Sequence, residues 1–322
     1  MAKRVQMFCF DCRGLMKLVV RSAILRWLPC ALIPLGLVLG TALSKPRPMA
    51  FEFSSRGLAW TGQAKWQTRK QANELPDVMF WAWQRPEDFR FLKPGQAGVA
   101  FLAETIVLHI RDSVALSSLE RRIPTLRVGK GTALIAVVRI ENPTGTGKPI
   151  TNDGSQPSVY RPETVASVAE AIAELQHIPG ISGIQIDFDA PASAHGFYAE
   201  LLKETRKRIE PGIPLSITAL ASWCIGDQWL AQLPGGTIEE AVPMLFRMGP
   251  DAENVAEYLH SNDKFPVAAC NSSLGLSIDE KLSRGLLHKL GNDPGDGKRV
   301  YVFSPRAWTP AEADEVLKEL NR

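Results

Sequence analysis

The chain has 322 residues, of which 45% are hydrophobic and 22% are charged, a composition that argues against intrinsic disorder. The net charge of +3 comes from the amino-terminal end, because residues 1–44 carry a net +5 and the remaining 278 residues therefore carry −2. A mildly acidic body argues against nucleic acid as the main partner.

The first 44 residues have the layout of a secretory signal. A basic stretch leads into an apolar run at residues 28–40, which is followed by the small residues Ala42 and Ser44. The apolar run is short for a membrane-spanning helix and contains Pro29 and Pro34. We therefore predict a bacterial exported protein, periplasmic or anchored in the inner membrane, whose amino-terminal segment is either cleaved after Ser44 or retained as the anchor.

Cysteine and histidine residues predict neither a metal site nor a cofactor. Beyond the first 44 residues the chain keeps Cys224 and Cys270, either as free thiols or as one disulfide in an oxidising compartment. The five histidines do not have the spacing of metal ligands.

Apolar runs bounded by turn residues alternate with helical patterns after a polar segment at residues 45–75. The eight predicted strands cover residues 77–84, 98–103, 132–141, 182–190, 214–222, 240–249, 265–275 and 299–308. The last five begin 25–34 residues apart, which fits one strand plus one crossover helix. Eight such units predict a single closed (β/α)8 barrel over residues 45–322. A doubly wound sheet is disfavoured, because no glycine-rich turn follows the first strand.

Two connections between the strands are unusual. Residues 105–122 are predicted to form a hairpin inserted between the second and third barrel strands. Residues 142–161 read as a long loop that follows a barrel strand, so it should lie on the face where barrel enzymes keep their active sites.

The fourth predicted strand carries acidic residues in an alternating pattern. Residues 182–191 read Ser-Gly-Ile-Gln-Ile-Asp-Phe-Asp-Ala-Pro, so Gln185, Asp187 and Asp189 share one face of the strand. The apolar face should pack against the helices, which points the polar face into the barrel. Acids there are costly to bury unless they are paired or functional, and their place at the carboxyl end of a barrel strand favours catalysis.

This strand resembles the signature Asp-Gly-x-Asp-x-Asp-x-Glu of the family 18 chitinases, in which the last Glu is the general acid. Gly183 and Asp187 match the signature, whereas Ser182 and Gln185 replace two of its aspartates. Asp189 stands at the position of the Glu.

Two other segments extend the resemblance. Met244-Leu245-Phe246-Arg247 occupies the place of a Met-x-Tyr-Asp substrate-contact motif, and Trp308 stands where those enzymes keep a tryptophan that stacks on a sugar. Residues 183–189, 215–224 and 242–249 resemble more specifically an uncharacterised family of exported bacterial proteins.

The resemblance implies a glycoside hydrolase-like protein that acts on an envelope or environmental polysaccharide. Asp189 would protonate the glycosidic oxygen, Asp187 would position and tune it, and an N-acetyl group of the substrate would be the nucleophile. An Asp reaches about one methylene less far than a Glu, and a misplacement of ~1 Å can cost about 100-fold in rate. The alternatives are a carbohydrate-binding barrel without turnover and an envelope structural or interaction protein, and the oligomeric state stays open.

The other candidate substrate-binding residues lie near predicted strand ends. Aromatic rings there would stack on sugar faces, arginines would bind an anionic group, and Asn271, ending the seventh strand, would donate a hydrogen bond. The candidates are Gln185, Trp81, Trp83, Trp223, Met244, Phe246, Arg247, Asn271, Arg306 and Trp308. The alternatives are core packing for the rings and salt bridges to Asp187 or Asp189 for the arginines. For Asp187 the alternative is a hydrogen bond from Ser216 or Thr218.

Overall fold

The structure is a computed structural model that describes residues 75–111, 114–120, 125–142, 160–292 and 297–320. The predicted signal or anchor segment at residues 1–44 lies outside these residues, as do residues 143–159 of the predicted long loop. Within the described ranges, no helix has both the length and the apolar character that crossing a membrane requires.

The described residues form eleven strands and seven α-helices. The strands are β1 (Val78–Ala82), β2 (Glu87–Phe89), β3 (Gly98–Arg111), β4 (Val114–Glu120), β5 (Leu126–Val128), β6 (Leu134–Glu141), β7 (Ile181–Asp187), β8 (Leu215–Leu220), β9 (Glu240–Met244), β10 (Ser273–Ser277) and β11 (Arg299–Phe303). The helices are α1 (Pro162–Glu174), α2 (His195–Arg208), α3 (Ala221–Ile225), α4 (Gln228–Ala231), α5 (Ala252–Ser261), α6 (Lys281–Asn292) and α7 (Pro310–Glu319).

Eight of the strands close a parallel barrel in the order β1, β3, β6, β7, β8, β9, β10, β11. Each pairs in parallel with the next, and the ring closes because β1 pairs with both β3 and β11. The predicted (β/α)8 barrel is confirmed. The short strands β2 and β5 form a separate two-stranded sheet.

The hairpin after the second barrel strand differs from the predicted insertion. Its first arm is not a separate strand but the continuation of β3, which pairs antiparallel with β4 from Thr105 to Arg111. The register between β3 and β6 shifts between Leu102 and Glu104. Such a bulge bends a strand, and the strand can then pair with β4 beyond it.

Alternation along the strands creates two apolar layers. Outward-facing side chains such as Ile184 and Ile186 of β7, and Phe188 directly after it, belong to the large core between the barrel and the helices. A smaller cluster fills the barrel interior: Met79, Trp81, Ala100, Ile135, Val137, Val242, Tyr301 and Phe303. The polar face of β7 therefore shares the interior with this smaller cluster.

The seventh predicted strand is misplaced. The strand is Ser273–Ser277, and the preceding residues form an irregular segment with a 3₁₀ turn at Ala268–Cys270. The Asn271 side chain accepts from Phe265 N at 2.8 Å and donates to Phe265 O at 2.9 Å, so it takes the place of a neighbouring strand for these backbone groups. The prediction that Asn271 ends a barrel strand is wrong, because it precedes β10.

Cys224 and Cys270 form a disulfide, which decides between the two states that the sequence left open. Cys224 lies in α3 and Cys270 in the 3₁₀ turn before β10, and both are fully buried. The bond therefore ties the segment after β8 to the segment before β10.

Replacing both cysteines by serine is expected to lower the free energy of unfolding by about 2–4 kcal/mol. The two residues are 46 positions apart, and closing a loop of that length removes about 4 kcal/mol of unfolded-state entropy. Urea denaturation of the variant and of the parent chain measures the difference. The parent chain in excess reductant serves as the control and should match the variant, whereas equal midpoints for the oxidised and reduced chains would contradict the prediction.

Candidate functional site

Two aspartates follow one another on the inner side of β7. Asp187 is the last residue of the strand, is half-buried, and accepts a hydrogen bond of 2.7 Å from the Thr218 hydroxyl of β8. This is one of the two hydrogen bonds that the sequence offered as an alternative to catalysis. Asp189 lies two residues beyond Asp187 and is exposed. The pair thus consists of one held carboxyl group and one accessible carboxyl group.

Arg139 is the cation whose charge acts on both aspartates, and it was not among the predicted site residues. In the pairing of β6 with β7, Arg139 lies in register with Asp187. Its guanidinium lies 3.3 Å from a carboxylate oxygen of Glu141 and 5.9 Å from the ring centroid of Trp83. The alternation that was applied to β7 would also have placed Arg139 and Glu141 on the inner face of β6. The Arg139 guanidinium therefore pairs with Glu141, and its charge also acts on Asp187 and Asp189.

The local environment changes the acidity of both aspartates. Burial raises the pKa of Asp187 from its ordinary value of 3.8 to about 6; the Thr218 hydrogen bond and the charge of Arg139 oppose the rise, and the charge of Asp189 adds to it. Although Asp189 is exposed, the protein around its carboxyl group removes part of its hydration and raises its pKa, again opposed by the charge of Arg139. Both shifts move the carboxyl groups toward the range in which a side chain exchanges protons near neutral pH.

Asp187→Asn is expected to raise the free energy of unfolding by about 1–3 kcal/mol at about pH 8. The carboxyl group is protonated in both states below about 3.8. Between about 3.8 and about 6 only the unfolded chain loses this proton, so the cost of Asp187 to stability grows across this window and is complete above about 6. Asparagine keeps an acceptor for Thr218 and carries no charge. Urea denaturation across this pH range should show a gain that grows with pH, and a constant gain would contradict the prediction. The exposed residue Asp263 provides the matched control, Asp263→Asn, which should show no gain.

Trp81 and Gln185 form the floor beneath the aspartates. The Trp81 indole donates to the Gln185 side-chain oxygen at 2.9 Å, and the Gln185 amide donates to the Ser216 hydroxyl at 3.3 Å. Gln185 is fully buried and Trp81 is 4% exposed. Gly275 leaves room for the indole, because a Cβ there would lie 3.0 Å from its ring. Both predicted binding residues are thus held by the protein itself, and they support the site from below.

Aromatic and apolar side chains form the wall opposite the aspartates. Phe246 follows β9 and Phe303 ends β11, and their rings stack with centroids 5.5 Å apart. Phe246 also approaches Trp81, at 6.0 Å. Met244 ends β9 and, like Trp83 beyond β1, is partly exposed. The predicted candidates Trp83, Met244 and Phe246 therefore lie at or just beyond strand ends, at positions that face the barrel interior.

Two predicted sugar-stacking tryptophans lie in the outer core instead. Trp308 is 6% exposed, donates its indole N–H to Trp81 O at 3.1 Å, and meets Phe80 edge-on at 4.6 Å. It follows the end of β11 by five residues, and the inward-facing aromatic residue at that strand end is Phe303. Trp223 is 2% exposed because β8 ends at Leu220 and Trp223 already belongs to α3. For both tryptophans core packing, the alternative reading, is correct.

The two predicted anion-binding arginines have other contacts. Arg306 forms an ion pair with Glu312 of α7, at 2.7 Å. The main-chain N–H of Arg247 donates to Glu280 at 2.8 Å, and its guanidinium lies 5.1 Å from the ring centroid of Phe303. The alternative, a salt bridge to Asp187 or Asp189, is not formed by either of these two residues, and Arg139 is the arginine whose charge acts on both aspartates. Among the residues that the structure describes, no group of three or more His, Cys, Asp or Glu is placed to hold a metal ion.

Comparisons with known proteins give low similarities only. No protein-family model and no curated protein matches the chain. A putative chitinase A from Streptomyces coelicolor superimposes with a TM-score of 0.47 and 9% identity, over 77% of this chain and 98% of that chain. A family GH18 chitinase from Chromobacterium violaceum gives 0.46 and 10%, over 79% and 85%. The spore cortex-lytic enzyme SleL from Bacillus cereus gives 0.42 and 12%, over 79% and 75%. At these values the similarity does not bear on activity, and the barrel is established by its own strand pairings.

Proposed function

We propose that the chain is an exported glycoside hydrolase-like protein that acts on an envelope or environmental polysaccharide. Asp189 is its general acid, and Asp187 is the partner that tunes it. The observation that carries the proposal is the pair of carboxyl groups with raised pKa values at the carboxyl end of β7, on the inner side of a closed barrel. Active sites of such barrels lie at this end of the strands.

The two carboxyl groups have different roles because their surroundings differ. Asp189 is exposed and reaches a ligand, while Asp187 is held by Thr218. When Asp189 gives its proton to a glycosidic oxygen it becomes negative, and a negative Asp189 raises the pKa of Asp187. Asp187 then holds a proton more tightly, so the pair avoids carrying two adjacent charges after the transfer.

A carbohydrate ligand fits the side chains around the acids. Trp83 and Phe246 offer partly exposed rings near the strand ends, and aromatic faces pack well against the apolar faces of sugar rings. The buried disulfide supports export, because such bonds persist in oxidising compartments outside the cytosol.

A carbohydrate-binding barrel without turnover is the second candidate, and Arg139 favours it. Its positive charge lowers the pKa of both aspartates against the effect of burial. A carboxyl group that is kept ionised accepts hydrogen bonds from a sugar but donates no proton.

Incubation of the purified chain with a panel of neutral, acetylated and charged oligosaccharides tests the proposal. New reducing ends and calorimetric binding are measured in parallel. We expect turnover of at least one oligosaccharide, abolished in Asp189→Asn and unchanged in the control Asp263→Asn. Binding without turnover would support the second candidate instead, and the absence of both would overturn the proposed function.

A further inference from the structure

Asp189 lies at the corner of a tight three-residue turn. The main-chain N–H of Ala190 donates to the main-chain oxygen of Phe188 at 2.8 Å, which closes a γ-turn with Asp189 as its central residue. The Phe188 ring is 1% exposed and meets the rings of Phe197 and Tyr198 edge-on, with centroids 6.3 Å and 5.2 Å away. The residue before Asp189 is thus fixed in the outer core, so the direction of the Asp189 carboxyl group depends on how the chain is held after it.

The side chain that holds the chain after Asp189 is that of His195, the first residue of α2. Its imidazole forms a hydrogen bond with the main chain of Ala190. Because the Ala190 N–H already donates to Phe188, the group that the imidazole contacts is the Ala190 carbonyl, and the imidazole is the donor. A 3₁₀ turn at Ala192–Ala194 connects the two residues and brings them together.

Two tryptophans from the connection after β8 fix the plane of the imidazole. Trp229 of α4 stacks on it, with centroids 5.0 Å apart and an interplanar angle of 28°. Trp223 of α3 meets it edge-on at 5.5 Å, and the two tryptophan rings are themselves 5.1 Å apart. Trp223 is followed by Cys224, whose disulfide ties α3 to the segment before β10. The imidazole is therefore held by elements that do not belong to the turn.

One nitrogen of the imidazole contributes nothing to the packing. Nε2 is buried and has no hydrogen bond to any group that the structure describes, although buried polar atoms are normally paired. Burial lowers the pKa of His195 from 6.5, against the charge of Asp227 and the bond to Ala190, so the ring is neutral at pH 7 and carries one N–H. Since Nε2 has no acceptor, that N–H is on Nδ1. An apolar ring would fill the same space without an unpaired nitrogen, so the contact with Ala190 is what distinguishes histidine from phenylalanine at this position.

We propose that His195 is a positioning residue for the general acid Asp189: it holds the Ala190 carbonyl and thereby fixes the turn from which the Asp189 carboxyl group projects. Asn142, directly after β6, holds the same turn by donating to the Asp189 main-chain oxygen at 3.1 Å. Proton transfer is sensitive to geometry, and a displacement of ~1 Å can cost about 100-fold in rate. This role rests on the proposed function, since it assigns how that acid is held.

Steady-state kinetics of three variants of the full chain, on the best oligosaccharide of the panel, test this role. His195→Phe keeps a ring beside the tryptophans and removes the donor, so we expect kcat to fall at least about tenfold while KM stays within about twofold. His195→Asn places an amide N–H near the position of Nδ1 and should recover most of the lost kcat. His260→Phe makes the same change at an exposed histidine of α5 and should keep the parent kcat. An unchanged kcat in His195→Phe, or an equal loss in both variants of His195, would overturn the inference.

Amide hydrogen exchange reports on the turn without a substrate. In His195→Phe the Ala190 amide, which donates to Phe188, should exchange at least about tenfold faster than in the parent chain. The amides of β7 should keep their rates, which checks that the barrel is intact, and His195→Asn should restore the parent rate at Ala190. An unchanged Ala190 rate in His195→Phe would overturn the inference, whether or not the chain is active. If the parent chain cleaves no oligosaccharide while the exchange rates change as expected, the proposed function fails and the assignment of His195 to the turn stands.

Discussion

Asp189→Asn is expected to lower the rate of glycoside hydrolysis by about 10²–10⁴-fold, the contribution of a positioned general acid. Asparagine has the size of aspartate and keeps a hydrogen-bonding end, but it has no acidic proton to give. Because Asp189 is exposed and its main-chain oxygen, not its carboxyl group, holds Asn142, the fold should be unchanged. The affinity for an uncharged oligosaccharide should therefore stay within a factor of about three, well under 1 kcal/mol.

Steady-state kinetics on the best oligosaccharide of the panel separate kcat from KM for this variant. Asp263→Asn makes the same chemical change at an exposed position after α5 and should keep the parent rate. A loss of rate in Asp187→Asn together with full activity in Asp189→Asn would assign the acid to Asp187, the residue with the higher burial. That outcome would contradict the proposed division of roles.

The barrel was predictable because its main signals are local. A two-residue alternation in strands such as β7 and β11, and the regular spacing between strands, follow from backbone geometry alone. The prediction of the seventh strand was wrong because the apolar run before β10 packs as an irregular segment. Asn271 satisfies the backbone there with its side chain, a solution that apolar periodicity does not reveal.

The site was only partly predictable because contacts between distant segments decide it. Alternation along one strand was enough to place Asp187 and Asp189. Trp308 could not be placed in this way, since its position depends on how the chain turns back after β11 to meet Phe80. The position of Arg139 beside Asp187 requires the register between β6 and β7, although its inward direction was available from the sequence.

The amino-terminal end of the barrel holds a buried ion pair that no catalytic role explains. Glu240 begins β9 and Arg299 begins β11, and a guanidinium nitrogen lies 2.7 Å from a carboxylate oxygen. The hydroxyl of Tyr301 donates to the other carboxylate oxygen. Glu240 is 4% exposed and Tyr301 is fully buried. Two charges and one hydroxyl are thus satisfied by one another in the barrel interior, opposite the proposed active site.

Glu240→Ala is expected to lower the free energy of unfolding by about 3–5 kcal/mol, because it removes the buried carboxylate that pairs with the guanidinium of Arg299. Replacing the pair together, as Glu240→Leu with Arg299→Met, should cost less than the single change, since both charges of the ion pair are then removed. Glu204→Ala removes a carboxylate that pairs with Lys207 and Arg208 on the surface of α2, and it should cost less than about 1 kcal/mol. Urea denaturation of the three variants gives the comparison. If Glu240→Ala costs no more than Glu204→Ala, the interior ion pair is not what stabilises this end of the barrel, and the aromatic packing above it must suffice.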